Sequence, residues 1–286
     1  MSEVYDATRC ELGEGPLWHP GRGELLWFDI LAARLHRRAG DRLITTRFDE
    51  LCSAAGWVDD TRLLIASETR LFLFDMETEA REDIAPLEAD TPDTRSNDGR
   101  ADPWGGFWIG TMGKGAAPGA GAIYRYYNGE LRRLHPGITI PNAICFAPDK
   151  SCAYFADTIS GQIMRQPLNA NDGWPSAAAE VFVDLRAEGL NPDGAVTDAA
   201  GNLWNAQWGA WRVACYAPDG SFLKAIPFDA AHTSCPAFGG ADLTTLFCTT
   251  ARENLDTVDA DKSDHHGKVL AATSAGQGHP EPRVIL

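Results

Sequence analysis

Asn191-Pro192-Asp193-Gly194-Ala195-Val196-Thr197-Asp198-Ala199-Ala200-Gly201-Asn202-Leu203-Trp204 is the stretch on which the architecture turns. Proline fixes φ on one side of Asp193 and glycine tolerates unusual φ/ψ on the other. A carboxylate therefore stands on a rigidly shaped loop at the entrance to a short apolar strand. A turn at Ala199-Ala200-Gly201 then leads to a second strand that carries Trp204. Taken alone, Pro-Asp-Gly reads as a β-turn. The same phrase, however, returns around Glu14, Ser53, Asn97, Asn142 and Cys235.

Each copy runs from a special residue through a short strand and a Gly, Pro or Asp turn to a strand with a large anchor. The anchors are Trp27, Leu64, Trp108, Tyr154, Trp204 and Leu246, and they are spaced 37, 44, 46, 50 and 42 residues apart. Short strands at that period, with almost no 3.6-residue periodicity, are the signature of four-stranded propeller blades. After each anchor comes another strand pair, as at Asn128-Gly129, a strong hairpin signal behind Ala122-Ile123-Tyr124. A β-sandwich with accidental spacing is the alternative, and six matched copies weigh against it. The expectation is an all-β, six-bladed β-propeller forming a single domain over residues 1–286, with a central metal site.

The special residues keep their distance from the anchors. Glu14 precedes Trp27 by 13 residues, Asn142 precedes Tyr154 by 12, and Asn97 and Asp193 precede Trp108 and Trp204 by 11. Equivalent positions of successive blades surround the propeller axis, so residues distant in sequence meet at one mouth of the channel. Two carboxylates and two carboxamides there make an all-oxygen environment. It suits a hard or borderline divalent cation held by Glu14, Asn142 and Asp193, with waters completing the shell. Structural zinc is disfavoured, because Cys235 is the only Cys or His in these slots. Each residue by itself is equally readable as a turn-capping side chain.

Composition narrows the partners. A formal charge of −15 without a basic run argues against nucleic acid or an anionic membrane. The first residues are polar, and no stretch approaches the roughly 20 apolar residues of a membrane span. A cytoplasmic protein with no evident obligate protein partner is expected. Its seven scattered cysteines, with no C-x-x-C pair, fit reduced and mostly buried thiols. Motifs of serine hydrolases, P-loop nucleotide binders and zincins are absent. Asp259-x-Asp261 begins like an EF-hand loop but lacks the required Gly and Glu, and reads as a solvated acidic loop with His265 and His266 exposed beside it.

Leu12-Gly13-Glu14-Gly15-Pro16-Leu17-Trp18, Arg95-Ser96-Asn97-Asp98-Gly99-Arg100, Gly110-Thr111-Met112, Pro141-Asn142, Pro192-Asp193-Gly194 and Cys235-x-x-Phe238-Gly239-Gly240 together resemble the motif series of the regucalcin/gluconolactonase (sugar lactonase) family. The resemblance is colinear over essentially the whole chain. It implies a divalent-metal-dependent hydrolase that opens sugar lactones to aldonic acids, and one bound cation, Ca2+ or Zn2+ ahead of Mn2+, Mg2+ or Fe2+. It further implies that Glu14, Asn142 and Asp193 are metal ligands, that Asp193 is also the acid/base, and that Arg95 and Asn97 contact substrate.

Two departures stand out. Gly113-Lys114-Gly115 follows Thr111-Met112 where animal members carry an acidic pair, and Ala143 replaces the usual Gly after Asn142. A lost carboxylate with Lys114 in its place suggests a substrate-binding lysine and tolerance of neutral aldonolactones and of a lactone bearing a carboxylate. A Lys114 pointing into solvent is the plainer alternative. Two other functional classes remain open at this level: a non-catalytic calcium- or partner-binding propeller, and a metal-dependent esterase or phosphotriesterase.

Overall fold

Five of the six repeated phrases fold into four-stranded antiparallel sheets whose strands follow one another in chain order. Their innermost strands are Gly13–His19, Cys52–Trp57, Thr94–Ala101, Pro141–Phe146 and Asn191–Thr197. The computed structural model describes residues 2–273 and 275–286. In its sixth sheet, His232–Gly239, Thr245–Ala251 and Val269–Ala272 are completed on the outside by Glu3–Asp6. Glu3 pairs with Ala271 and Val4 with Leu270, so the ring is closed by a strand from the opposite end of the sequence. The fold is the expected six-bladed propeller.

Why the blades read as they do follows from burial. Inner and second strands are covered on both faces, so Glu24–Asp29 and Pro141–Phe146 are buried at every residue. Outer strands such as Arg81–Pro86 and Phe222–Pro227 face water along most of their length. All six anchors lie on second strands and are at most 2% exposed. Asn128 and Gly129, at φ 50° and 77°, form the expected tight turn between Gly121–Tyr127 and Glu130–Ile138.

The far end of the channel is crossed by residues 275–286. Arg100 reaches down from the third blade to pair with Glu281, and also donates to the carbonyls of Ile144 and Ala195 at 3.3 and 3.1 Å. Val284 N–H bonds to the Trp57 carbonyl, and Ile285 N–H to that of Gly105. The acidic segment near residue 259 forms one short exposed helix, Thr257–Ala260, capped by Asp256. His266 departs from expectation: it is buried against Trp211, with Nδ1 accepting from Ala231 N–H and Nε2 bonded to the Asp259 carbonyl. His265 is half-buried and faces Asp229 at 3.2 Å.

Candidate functional site

Glu14, Asn97, Asn142 and Asp193 lie within the innermost strands and not, as expected, on loops that precede them. The local geometry explains the difference. Every innermost strand loses register with its neighbour at this slot: between Glu14 and Leu17, Cys52 and Ala54, Ser96 and Gly99, Asn142 and Cys145, Pro192 and Ala195, and Thr233 and Pro236. A bulge re-aims the side chain and frees backbone amides from the ladder. Gly15 and Ala143 follow two of these residues at φ 54° and 57°. Ala143 thus occupies a left-handed position that favours glycine.

The freed amides hold the carboxylates. Gly15 N–H donates to Glu14 Oε2 at 3.1 Å, and Gly194 N–H to Asp193 Oδ1 at 3.0 Å. Glu14, Asn142 and Asp193 are only 3–5% exposed, and Arg95 and Asn97 5% and 6%. Burial, reinforced by Asp98, pushes the Glu14 carboxyl above its usual range, and burial with Glu14 and Asp98 does the same to Asp193. Neither carboxyl group has a basic ion-pair partner within 4.0 Å among the described residues.

The carboxamides are fixed by a chain of hydrogen bonds that runs from blade to blade. Arg95 Nη1 donates to Asn97 Oδ1 at 2.8 Å. Asn97 Nδ2 donates to the Pro141 carbonyl and to Asn142 Oδ1, and Asn142 Nδ2 to Thr158 Oγ1 at 2.8 Å. Thr158 then donates to the Pro192 carbonyl, next to Asp193. Asn142 Oδ1 accepts from Asn97 and keeps a second lone pair.

All six residues expected at the site line one cavity of about 440 Å³, together with Leu12, Met112, Ile159, Trp208, Glu253 and Asn254. Thr158, Asp98, Trp208 and Glu253 were not foreseen: Thr158 lies on a connecting turn, and Trp208 and Glu253 stand outside the repeated slot. Lys114 sits at the rim, and its Nζ is 2.5 Å from Glu68 Oε2, so its charge is answered within the protein. A larger, open groove of about 770 Å³ between the fourth and fifth blades gathers none of the site residues.

Two carboxylates and one amide oxygen are a donor set for a hard or borderline divalent cation that leaves positions open for water and a substrate. Among the described residues no trio of His, Cys, Asp and Glu assembles, as a closed zinc site would require.

A six-bladed propeller with a buried, oxygen-lined pocket at the channel mouth defines a class built for small polar ligands. The chain belongs to the SMP-30/Gluconolactonase/LRE-like family, whose model matches residues 12–252. It is similar to the L-arabinolactonase of Azospirillum brasilense, with 35% identity over 95% of this chain and 91% of that protein. The 6-deoxy-6-sulfogluconolactonase of Pseudomonas putida is 34% identical over 95% of this chain and 94% of its own. Among solved structures, a calcium-binding protein, regucalcin, from Agrobacterium tumefaciens superposes with a TM-score of 0.97 at 41% identity, covering 100% of this chain and 98% of that one.

Proposed function

We propose that this propeller hydrolyses a sugar lactone to the corresponding aldonic acid at the 440 Å³ cavity, assisted by one divalent cation held by Glu14, Asn142 and Asp193. The observation that carries the reading is the pair of buried carboxylates, each pinned through one oxygen to the next residue's amide, in the cavity that Asn142 also lines. Such a cation supplies Lewis-acid polarisation of the lactone carbonyl. Relatives named as lactonases over nearly their whole length support the reaction class.

The protein's own residues do the rest. Asp193 takes a proton from the attacking water and returns it to the ring oxygen as the acyl C–O bond breaks. Water adds across that bond, and a hydroxy acid leaves. Arg95 directs its guanidinium at substrate oxygens. Asn97 touches the same space while holding Arg95 and Asn142 in place. Lys114 borders the substrate at the rim as an ion pair with Glu68. Seven free, buried cysteines favour a reducing compartment, and we place the protein in the cytoplasm.

A panel of aldonolactones followed by pH indicator tests the proposal. Chelation should abolish turnover and a divalent cation restore it, and Asp193→Asn should lower kcat by about a hundredfold or more while leaving the melting temperature intact. Full activity in the chelated protein would refute the metal-assisted reading.

A further inference from the structure

Three carboxylates line the cavity, and the third belongs to neither the repeated slot nor, among the described residues, any ion pair. Glu253 follows the second strand of the sixth blade, Thr245–Ala251, in a turn fixed by its backbone. Arg252 and Glu253 N–H both donate to the Glu11 carbonyl at 2.9 Å, and Asn254 adopts φ 54°. The Glu253 side chain is half-buried and has no hydrogen-bond partner among the described residues. The charge it feels most is that of Arg95, beyond ion-pair distance. Trp208, the last residue of the strand Leu203–Trp208, lines the same cavity. Its indole is stacked on His232 at 4.1 Å and 18°.

Lys114, Gly115, Ala116 and Asn97, which also line the cavity, have no acceptor to spare. Lys114 is held by Glu68, Gly115 and Ala116 carry no polar side chain, and the Asn97 amide is committed to Arg95, Pro141 and Asn142. A ring that carries several hydroxyls on one face and C–H groups on the other needs an acceptor beside an apolar plate. Glu253 and Trp208 provide both in this cavity, with a full charge on the acceptor.

Resting on the lactonase reading, we propose that Glu253 is a specificity-determining residue that accepts hydrogen bonds from the hydroxyls of a polyhydroxylated lactone while the ring lies against Trp208. The carboxylate missing from the loop after Met112 is in effect supplied from the sixth blade. The ligand class is a neutral polyhydroxylated lactone, and an unsubstituted ring gains nothing from this wall.

The test compares D-glucono-1,5-lactone with δ-valerolactone, the same ring without hydroxyls, in wild type, Glu253→Gln and Glu253→Ala, with thermal melts confirming that each is folded. Loss of one charge-assisted hydrogen bond should raise KM for the gluconolactone about tenfold with kcat nearly unchanged, and leave kcat/KM for δ-valerolactone within about twofold. Equal effects on both substrates, or none on either, overturn the proposal. Should the wild type hydrolyse neither, the lactonase reading has failed, and calorimetric binding of D-glucitol decides the subsite. A tenfold weaker Kd in Glu253→Gln sustains it, and an unchanged or undetectable affinity ends it.

Discussion

Asn142 shows how little freedom a ligand-bearing side chain has here. Its amide orientation is dictated by Thr158, which takes a hydrogen from Asn142 Nδ2 and passes its own to the Pro192 carbonyl. Thr158→Val removes both links but keeps the shape. Partners of this kind orient metal ligands, and their loss typically weakens metal affinity about 10–100-fold. Calorimetric titration should therefore show weaker divalent-cation binding with an almost unchanged melting temperature; unaltered affinity would show that Asn142 is held by Asn97 alone. Away from the site, His36 is buried against Trp27 with Nε2 unpartnered, and burial holds its pKa below the ordinary value. As pH falls through about 6.5, the unfolded chain takes up this proton first. The stability it confers is complete above that pH and declines below it, by at most about 1.4 kcal/mol per unit for one group. Urea melts of His36→Phe between pH 6.5 and 5 should show a shallower decline than wild type. Parallel slopes would assign the acid sensitivity to His19, His135 and His232, which burial lowers in the same way.

At the scale of the strand, the bulge is what converts a repeated sequence into a site. Gly194 permits close approach of the fifth and sixth blades: a Cβ there would lie 2.3 Å from Cys235 Sγ. Gly194→Ala should cost about 1–3 kcal/mol through overpacking and shift Asp193 with it, seen as a lowered urea midpoint and weakened metal binding together. A neutral result would mean that the blades can slide apart at no cost. The slot itself was legible, because a constant offset of 11–13 residues from a buried anchor is a property of the chain. Its placement within a strand was not, since bulges depend on pairing across the ladder and Pro-Asp-Gly mimics a turn. Trp208 stands four residues after its anchor, as Met112 and Thr158 do after theirs, so the same periodicity could have found it, whereas Glu253 reaches the cavity from a turn beyond the second strand of the sixth blade. The charge of Lys114 was visible but its partner was not: Glu68 precedes it by 46 residues and meets it only once the second and third blades are side by side.

For the molecule as a whole, the segment beneath the channel adds ties to the second and third blades, through Trp57, Gly105 and Arg100. Arg100 is buried, and Glu281 is its only acidic ion-pair partner among the described residues. Glu281→Ala leaves that charge uncompensated, which typically costs about 3–5 kcal/mol. A melt should register the loss, and the double variant Arg100→Met/Glu281→Met should recover much of it; no recovery would indicate that the segment acts through its backbone bonds to Trp57 and Gly105. Closure of the sixth sheet carries a different consequence, for the order in which the protein comes into being. Glu3–Asp6 emerges from a ribosome long before Val269–Ala272. At about 5–20 residues per second, the early strand waits on the order of tens of seconds for its partner. Through that interval the nascent chain is an open arc with unpaired strand edges at both ends. Glu14 belongs to the first blade and Asp193 to the fifth, so the pocket is brought fully into register only when the arc becomes a ring.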